Sequence, residues 1–356
     1  MKSSESKLIG FACAYTPLAL IDACGFVPYR LLPLGDSPEK GGMLLHDNIC
    51  PHVKRILDRA LSDDIPELFG IVFMNSCDAM RRLADAWLMT RPSDRVVVVD
   101  LPANRSKSSI NYFGKELARL ANVLAGWGGC ELTDEKIGGS IGRYRELSFA
   151  IDILSRRAHD GTLKGGMETM QKIYNQSVTL PIDEVLASIN QKLAEPETPA
   201  EQGAGVPVYL MGNVLVDPMA LAIFEKCGAQ IIAGDICTGS RMHATIDFSG
   251  SEDVFTRLAR GLLLRRACAR TFDAAEPGGI ARDVVERVKS CGARGVIVHV
   301  MKFCDPYLTR LPYISEALRT VGIPVLVLDG DCSLRSIGQF TTRIEAFVEM
   351  LNRGEK

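Results

Sequence analysis

The side chains most able to do chemistry in this chain are its cysteines. There are eleven in 356 residues, against five histidines. Four sit in two matched settings. Cys77 in "NSCD" and Cys304 in "KFCD" each close an apolar strand pattern and precede Asp. Cys50 in "DNICPHVK" and Cys237 in "GDICTGSR" each follow a short apolar step, at what reads as a strand-to-helix turn. Backbone N–H groups at a helix N-terminus favour thiolates. Four cysteines so placed point to ligation of a metal group; the plain alternative is ordinary buried thiols, which are common. Cys13 ends the first strand pattern and Cys332 follows the last, in "LDGDCS". Both strand ends face the same edge, so both join the candidate ligands.

The other cysteines read differently. Cys24, Cys227 and Cys291 all occur as Cys-Gly at a helix end, where the Gly is the C-cap and the Cys a small core residue. Cys130 follows a Gly turn, and Cys268 lies in "RRACAR" on an expected helix; neither has a partner pattern, and both read as inert. No CxxC, HExxH or zinc-finger spacing occurs. Closed zinc sites usually show local ligand pairs, whereas thiolates from distant strand ends without histidine suit an iron–sulfur cluster. No GxGxxG follows the first strand, and no GxxxxGK[ST] occurs, so a nucleotide site is not expected. "GWGG" and "GGSIG" read as turns within the helical middle.

Composition bounds the class. Hydrophobic residues make up 47% and charged residues 24%, as in a globular protein. A net charge of -2 gives no reason to expect nucleic acid or an anionic membrane. The start, "MKSSESKLIGFACAYTP", lacks the apolar core of a signal peptide, and no apolar run approaches the ~20 residues of a membrane span. A cytoplasmic protein is expected, where thiols stay reduced and eleven cysteines are not disulfides.

The elements that position these residues alternate strand and helix. "KLIGFACAY", "FVPYRLL", "FGIVFMNSC" and "RVVVVDLP" read as strands separated by helices, and the pattern restarts with "VYLMGNVL", "AQIIAGDIC", "GVIVHVMKFC" and "IPVLVLDGD". Continuous apolar runs of this kind indicate parallel sheets covered on both faces. The expected fold is α/β: two similar doubly wound parallel-sheet domains, related by duplication. They span 1–105 and 206–356, with a helical segment at 106–195 and a Pro/Gly/Glu-rich linker at 196–205. Ligands bind beyond the carboxyl ends of such sheets, so the cluster is expected in the crevice between the two domains.

Over nearly its whole length the chain resembles the 2-hydroxyacyl-CoA dehydratase and benzoyl-CoA reductase family of iron–sulfur proteins. The resemblance rests on "CAYTPLALIDACGFVPYRL", "NICPHVK", "GIVFMNSCDAMRRL", "GDICTGSR", "HVMKFCDPY" and "GQFTTRIEAFVEML". It implies that Cys50, Cys77 and Cys304 hold a [4Fe–4S] cluster. A related branch carries a double cubane, [8Fe-9S], which needs about six thiolates at three per cubane. The candidates are then Cys13, Cys50 and Cys77 with Cys237, Cys304 and Cys332, and the expectation leans to this branch. The resemblance further implies one-electron reduction of a small substrate, with electrons from a separate ATP-hydrolysing iron–sulfur reductase; a homodimer is also expected. Ser76, Asp78, Lys302 and Asp305 flank ligands and are candidate proton donors or supports, although the two aspartates serve equally as helix caps. Arg241 is a candidate for an anionic group or for a surface ion pair. The alternatives are a dehydratase subunit with a single cluster, a non-catalytic electron carrier, and a metal-free binding protein with core cysteines.

Overall fold

The structure is a computed structural model that describes residues 7–35, 40–198, 205–330 and 337–353. Cys332 and most of the expected linker lie outside the described residues.

The first apolar runs form a four-stranded sheet. Its strands are β1 (Leu8–Phe11), β2 (Val27–Arg30), β3 (Gly70–Asn75) and β4 (Val96–Asp100), all parallel, in the order β2-β1-β3-β4. The helices between them are α1 (Leu18–Ala23), α2 (Lys40–Leu44), α3 (Pro51–Leu61) and α4 (Asp78–Thr90). Four helices follow: α5 (Lys107–Gly128), α6 (Asp134–His159), α7 (Gly166–Gln176) and α8 (Ile182–Ala194). A second parallel sheet then forms from β5 (Val206–Gly212), β6 (Ala229–Asp235), β7 (Gly295–Met301) and β8 (Val325–Gly330), in the order β6-β5-β7-β8. Its helices are α9 (Pro218–Lys226), α10 (Val254–Leu264), α11 (Gly279–Cys291), α12 (Asp305–Thr320) and α13 (Ile337–Arg353). The two sheets therefore share one strand order.

Both faces of each sheet are covered, which is why the strands read as unbroken apolar runs. In the first sheet Val72 and Met74 face α1 and α5, while Ile71 and Phe73 face α3 and α4. In the second, Val208 and Leu210 pack under α6 to α9, while Tyr209 and Met211 pack under α11 and α12. The halves are interlocked. Helix α10, from the second half of the chain, places Leu258 and Leu262 in the core of the first sheet. It lies against α5 at Gly114, where a Cβ would meet Thr256 at 3.1 Å.

Three local expectations are corrected. "GWGG" is helical through Gly128, the end of α5, and only Gly129 leaves the helix, as its left-handed C-cap. "GGSIG" is not a turn but lies inside α6, whose N-cap Thr133 accepts from Lys136 N–H and whose Ile137 and Ile141 are buried. Packing on that face overrides the helix cost of Gly138, Gly139 and Gly142. Cys268 is not helical: α10 stops at Leu264, where Arg265 turns extended and its buried guanidinium reaches the Ala14 carbonyl across the molecule. The Cys-Gly helix ends are as expected, with Gly25, Gly228 and Gly292 left-handed at φ 80°, 79° and 73°. Among the described residues, no helix is long and apolar enough to cross a membrane.

Candidate metal centre

The strand order has a direct consequence for the cysteines. In each sheet the order in which strands are added reverses between the two central strands, β1 and β3 or β5 and β7, and ligands bind beyond the carboxyl ends at that point. Cys13 lies just past β1, Cys77 just past β3, Cys237 just past β6 and Cys304 just past β7. Cys50 caps α3. All five line one cavity of about 480 Å³ between the two sheets.

A sixth cysteine lines the same cavity. This is Cys268, which its surroundings in the sequence did not single out. It stands ahead of α11, the helix that leads into β7, as Cys50 stands ahead of α3, the helix that leads into β3. That shared position relative to the central strand was the available signal. The matched settings read for Cys50 and Cys237 differ in detail: Cys50 follows α2 and caps a helix, whereas Cys237 opens a run of turns with Gly239 and Arg241 N–H bonded to the Ile236 carbonyl.

The sulfurs interact with one another. Ser76, buried in the same wall, favours the thiolates of both Cys13 and Cys77. Cys304 shares a hydrogen bond with Cys50, which with the Tyr307 N–H and Asn213 outweighs burial and pulls the Cys304 thiol below its ordinary value. Burial pushes Cys13, Cys77 and Cys268 up, the last to about 11, against the N–H groups of Tyr15, Met80 and Arg270. Buried thiols supplied with N–H donors are suited to carry negative charge once a metal replaces the proton. Among the described residues no three Cys, His, Asp or Glu converge tightly enough to chelate a single ion. The thiols surround a volume rather than a point. The donor set therefore fits an iron–sulfur group: soft sulfur ligands and backbone N–H donors.

The remaining candidates divide. Ser76, Asp78 and Asp305 line the cavity, with Asp78 and Asp305 exposed at its mouth and Asp78 paired to Arg82 at 3.5 Å. Lys302 is exposed and is not part of the wall. Between it and Cys304, Phe303 is left-handed at φ 56°, a conformation that costs roughly 1–2 kcal/mol. Arg241 is not on the surface. It is 1% exposed and lines the cavity, with Nε donating to Asp235 at 2.8 Å and Nη2 to the Gly212 carbonyl at 3.0 Å. Its Nη1 is buried without a hydrogen-bond partner. Sequence reasoning also missed Arg30. This buried residue of β2 sends Nη1 to the Cys237 carbonyl at 3.0 Å and Nη2 to Cys237 Sγ at 3.2 Å.

A sequence model of the family described as "2-hydroxyglutaryl-CoA dehydratase, D-component" matches residues 13–351. The chain is 25% identical over 363 residues to the (R)-phenyllactyl-CoA dehydratase beta subunit of Clostridium sporogenes, covering 99% of this chain and 93% of that one. It is 24% identical over 363 residues to the beta subunit of lactoyl-CoA dehydratase of Anaerotignum propionicum, covering 96% and 91%. It is 25% identical over 329 residues to one of the subunits of the benzoyl-CoA reductase of Thauera aromatica, covering 90% and 84%.

Proposed function

The chain belongs to the 2-hydroxyglutaryl-CoA dehydratase D-component family, and on that premise we propose that it is an iron–sulfur enzyme performing low-potential one-electron reduction of a small substrate. One observation carries the reading: six thiols, three from each half of the chain, line a single cavity. Cys13, Cys50 and Cys77 would hold one cubane, and Cys237, Cys268 and Cys304 the other. Cys268 thus joins the candidates as an alternative to Cys332, which lies outside the described residues. When bound, such a cluster accepts and passes on single electrons at low potential.

The residues of the chain supply the rest. The thiols hold the group, Ser76 favours the thiolates of Cys13 and Cys77, and backbone N–H groups offset charge on the sulfurs. Asp78 and Asp305, at the mouth, are placed to exchange protons with solvent. Electrons come from a separate ATP-hydrolysing iron–sulfur reductase, and the protein works as a homodimer in the cytoplasm, where its free thiols persist. The shared strand order supports descent of the halves from one duplicated unit.

A second reading rests on a different feature. Among the described cysteines, only Cys50, Cys77 and Cys304 N-cap helices, α3, α4 and α12 respectively. That trio suits a single [4Fe–4S] cluster in a 2-hydroxyacyl-CoA dehydratase subunit. Iron and acid-labile sulfide, counted on protein purified without air, separate the two. About eight irons per chain supports the double cubane, about four the single cluster, and none defeats both.

A further inference from the structure

Five guanidiniums stand in or behind the cysteine-lined wall: Arg30, Arg241, Arg265, Arg270 and Arg310. Among the described residues only Arg241 of these has a carboxylate partner, Asp235, which also pairs with Arg266 at 3.8 Å. Arg30 bonds to the carbonyl and sulfur of Cys237, and to no acid among the described residues. Arg265 reaches the Ala14 carbonyl and lies over the Tyr15 ring. Arg270 donates to the carbonyls of Ser76, Leu101 and Pro102 at 2.7–2.8 Å. Buried nitrogens are left without hydrogen-bond partners on Arg30 (Nε), Arg241 (Nη1) and Arg265 (Nε). The carboxylates at the rim, Asp78 and Asp305, face solvent.

Five positive charges against one buried carboxylate is a costly arrangement unless something anionic completes it. The positive field comes from the guanidiniums, and it lies where thiolates would put negative charge.

Resting on the cluster reading above, we propose that Arg30 is the fixed counter-charge at the Cys237 end of the cavity: a positioning residue that holds the Cys237 sulfur and raises the reduction potential of the group that sulfur carries. The direction follows from charge. Adding an electron makes the group more negative, and a guanidinium hydrogen-bonded to a ligand sulfur favours that state over the oxidised one. Arg241, bound to Asp235, contributes less, because its charge is already offset.

The test compares the full-length parent with Arg30→Gln and Arg30→Lys, all purified without air. Iron and sulfide are counted, and the reduced-state electron paramagnetic resonance signal is followed through a redox titration. Arg30→Gln is expected to keep its iron while the reduced-to-oxidised ratio at a fixed poise falls about tenfold, which is ~59 mV for one electron. Arg30→Lys is expected to lie between Gln and the parent. An iron-loaded Arg30→Gln with the parental midpoint overturns the inference and leaves the cluster reading standing. If Gln loses its iron, Lys decides. Iron restored by Lys supports the charge role, and an iron-free Lys variant shows that shape mattered and overturns it. A parent chain without iron and sulfide removes the cluster reading and this inference together.

Discussion

Cys77 and Cys304 hold the same post in two different sheets. Each follows the second central strand, β3 or β7, each N-caps the next helix, and each has a backbone N–H favouring its thiolate, from Met80 and Tyr307. Both sulfurs meet in one cavity.

Replacing Cys77 or Cys304 by Ala should therefore abolish iron binding, whereas Cys24→Ala and Cys291→Ala should leave it intact, because those two end helices α1 and α11 away from the cavity. Iron and sulfide per chain measure this. Full iron in Cys77→Ala would refute the site.

Cys237 and Cys268 separate the two cluster types. With a double cubane, Cys237→Ser or Cys268→Ala should lower iron by roughly half, or to nothing if the two cubanes assemble together. If both variants keep parental iron and an unchanged paramagnetic signal, the single-cluster reading on Cys50, Cys77 and Cys304 takes over.

Leu258 tests the interlocking of the halves. It is 1% exposed, on α10 but in the core of the first sheet. Leu258→Ala should cost about 2–5 kcal/mol. Backbone hydrogen exchange should accelerate in β1 and β3. Faster exchange confined to β5 and β7 would show that α10 serves the second sheet instead.

His243 gives a pH signature. Its ring stacks on Tyr174 at 5.6 Å, and its Nε2 lies 3.0 Å from Ser177 Oγ. The imidazole is enclosed, although the residue as a whole is only half-buried, and burial with Arg30 and Arg265 holds it near 3. The unfolded chain takes up this proton from about pH 6.5 downward while the native state refuses it until about 3. Stability is therefore full above 6.5 and lost as pH falls, by about 2 kcal/mol between pH 7.5 and 5. His243→Gln should lose correspondingly less over that range in denaturant titrations, and equal losses in the two proteins would rule the histidine out as the cause.

Much of the candidate cavity lining was legible because strand ends are legible. Cys77 and Cys304 close apolar runs that have no other reading than buried strands, and such runs carry ligands at their carboxyl ends. What the sequence hid depends on distance. Cys268 reads as helical because "GLLLRRACA" continues a helical pattern, and only the burial of Arg265 against Ala14, on the far side of the chain, takes it out of the helix. Arg30 reads as an ordinary strand residue; its contact with Cys237 spans 207 positions. Lys302 shows the converse. Adjacency to a ligand region suggested a role, but the left-handed turn at Phe303 leaves its side chain in solvent.

Arg270 ties three carbonyls of the first half, those of Ser76, Leu101 and Pro102, to the segment that carries Cys268. The two sheet edges around the thiols are thereby held by charge-assisted bonds that must all lengthen before one edge can shift against the other. For the one-electron centre proposed above, such a wall would keep the reorganisation energy small, because its dipoles are set before the charge arrives and do not have to turn to meet it. A loosened edge, as in Arg270→Ala, would slow electron uptake even where the equilibrium potential stayed the same.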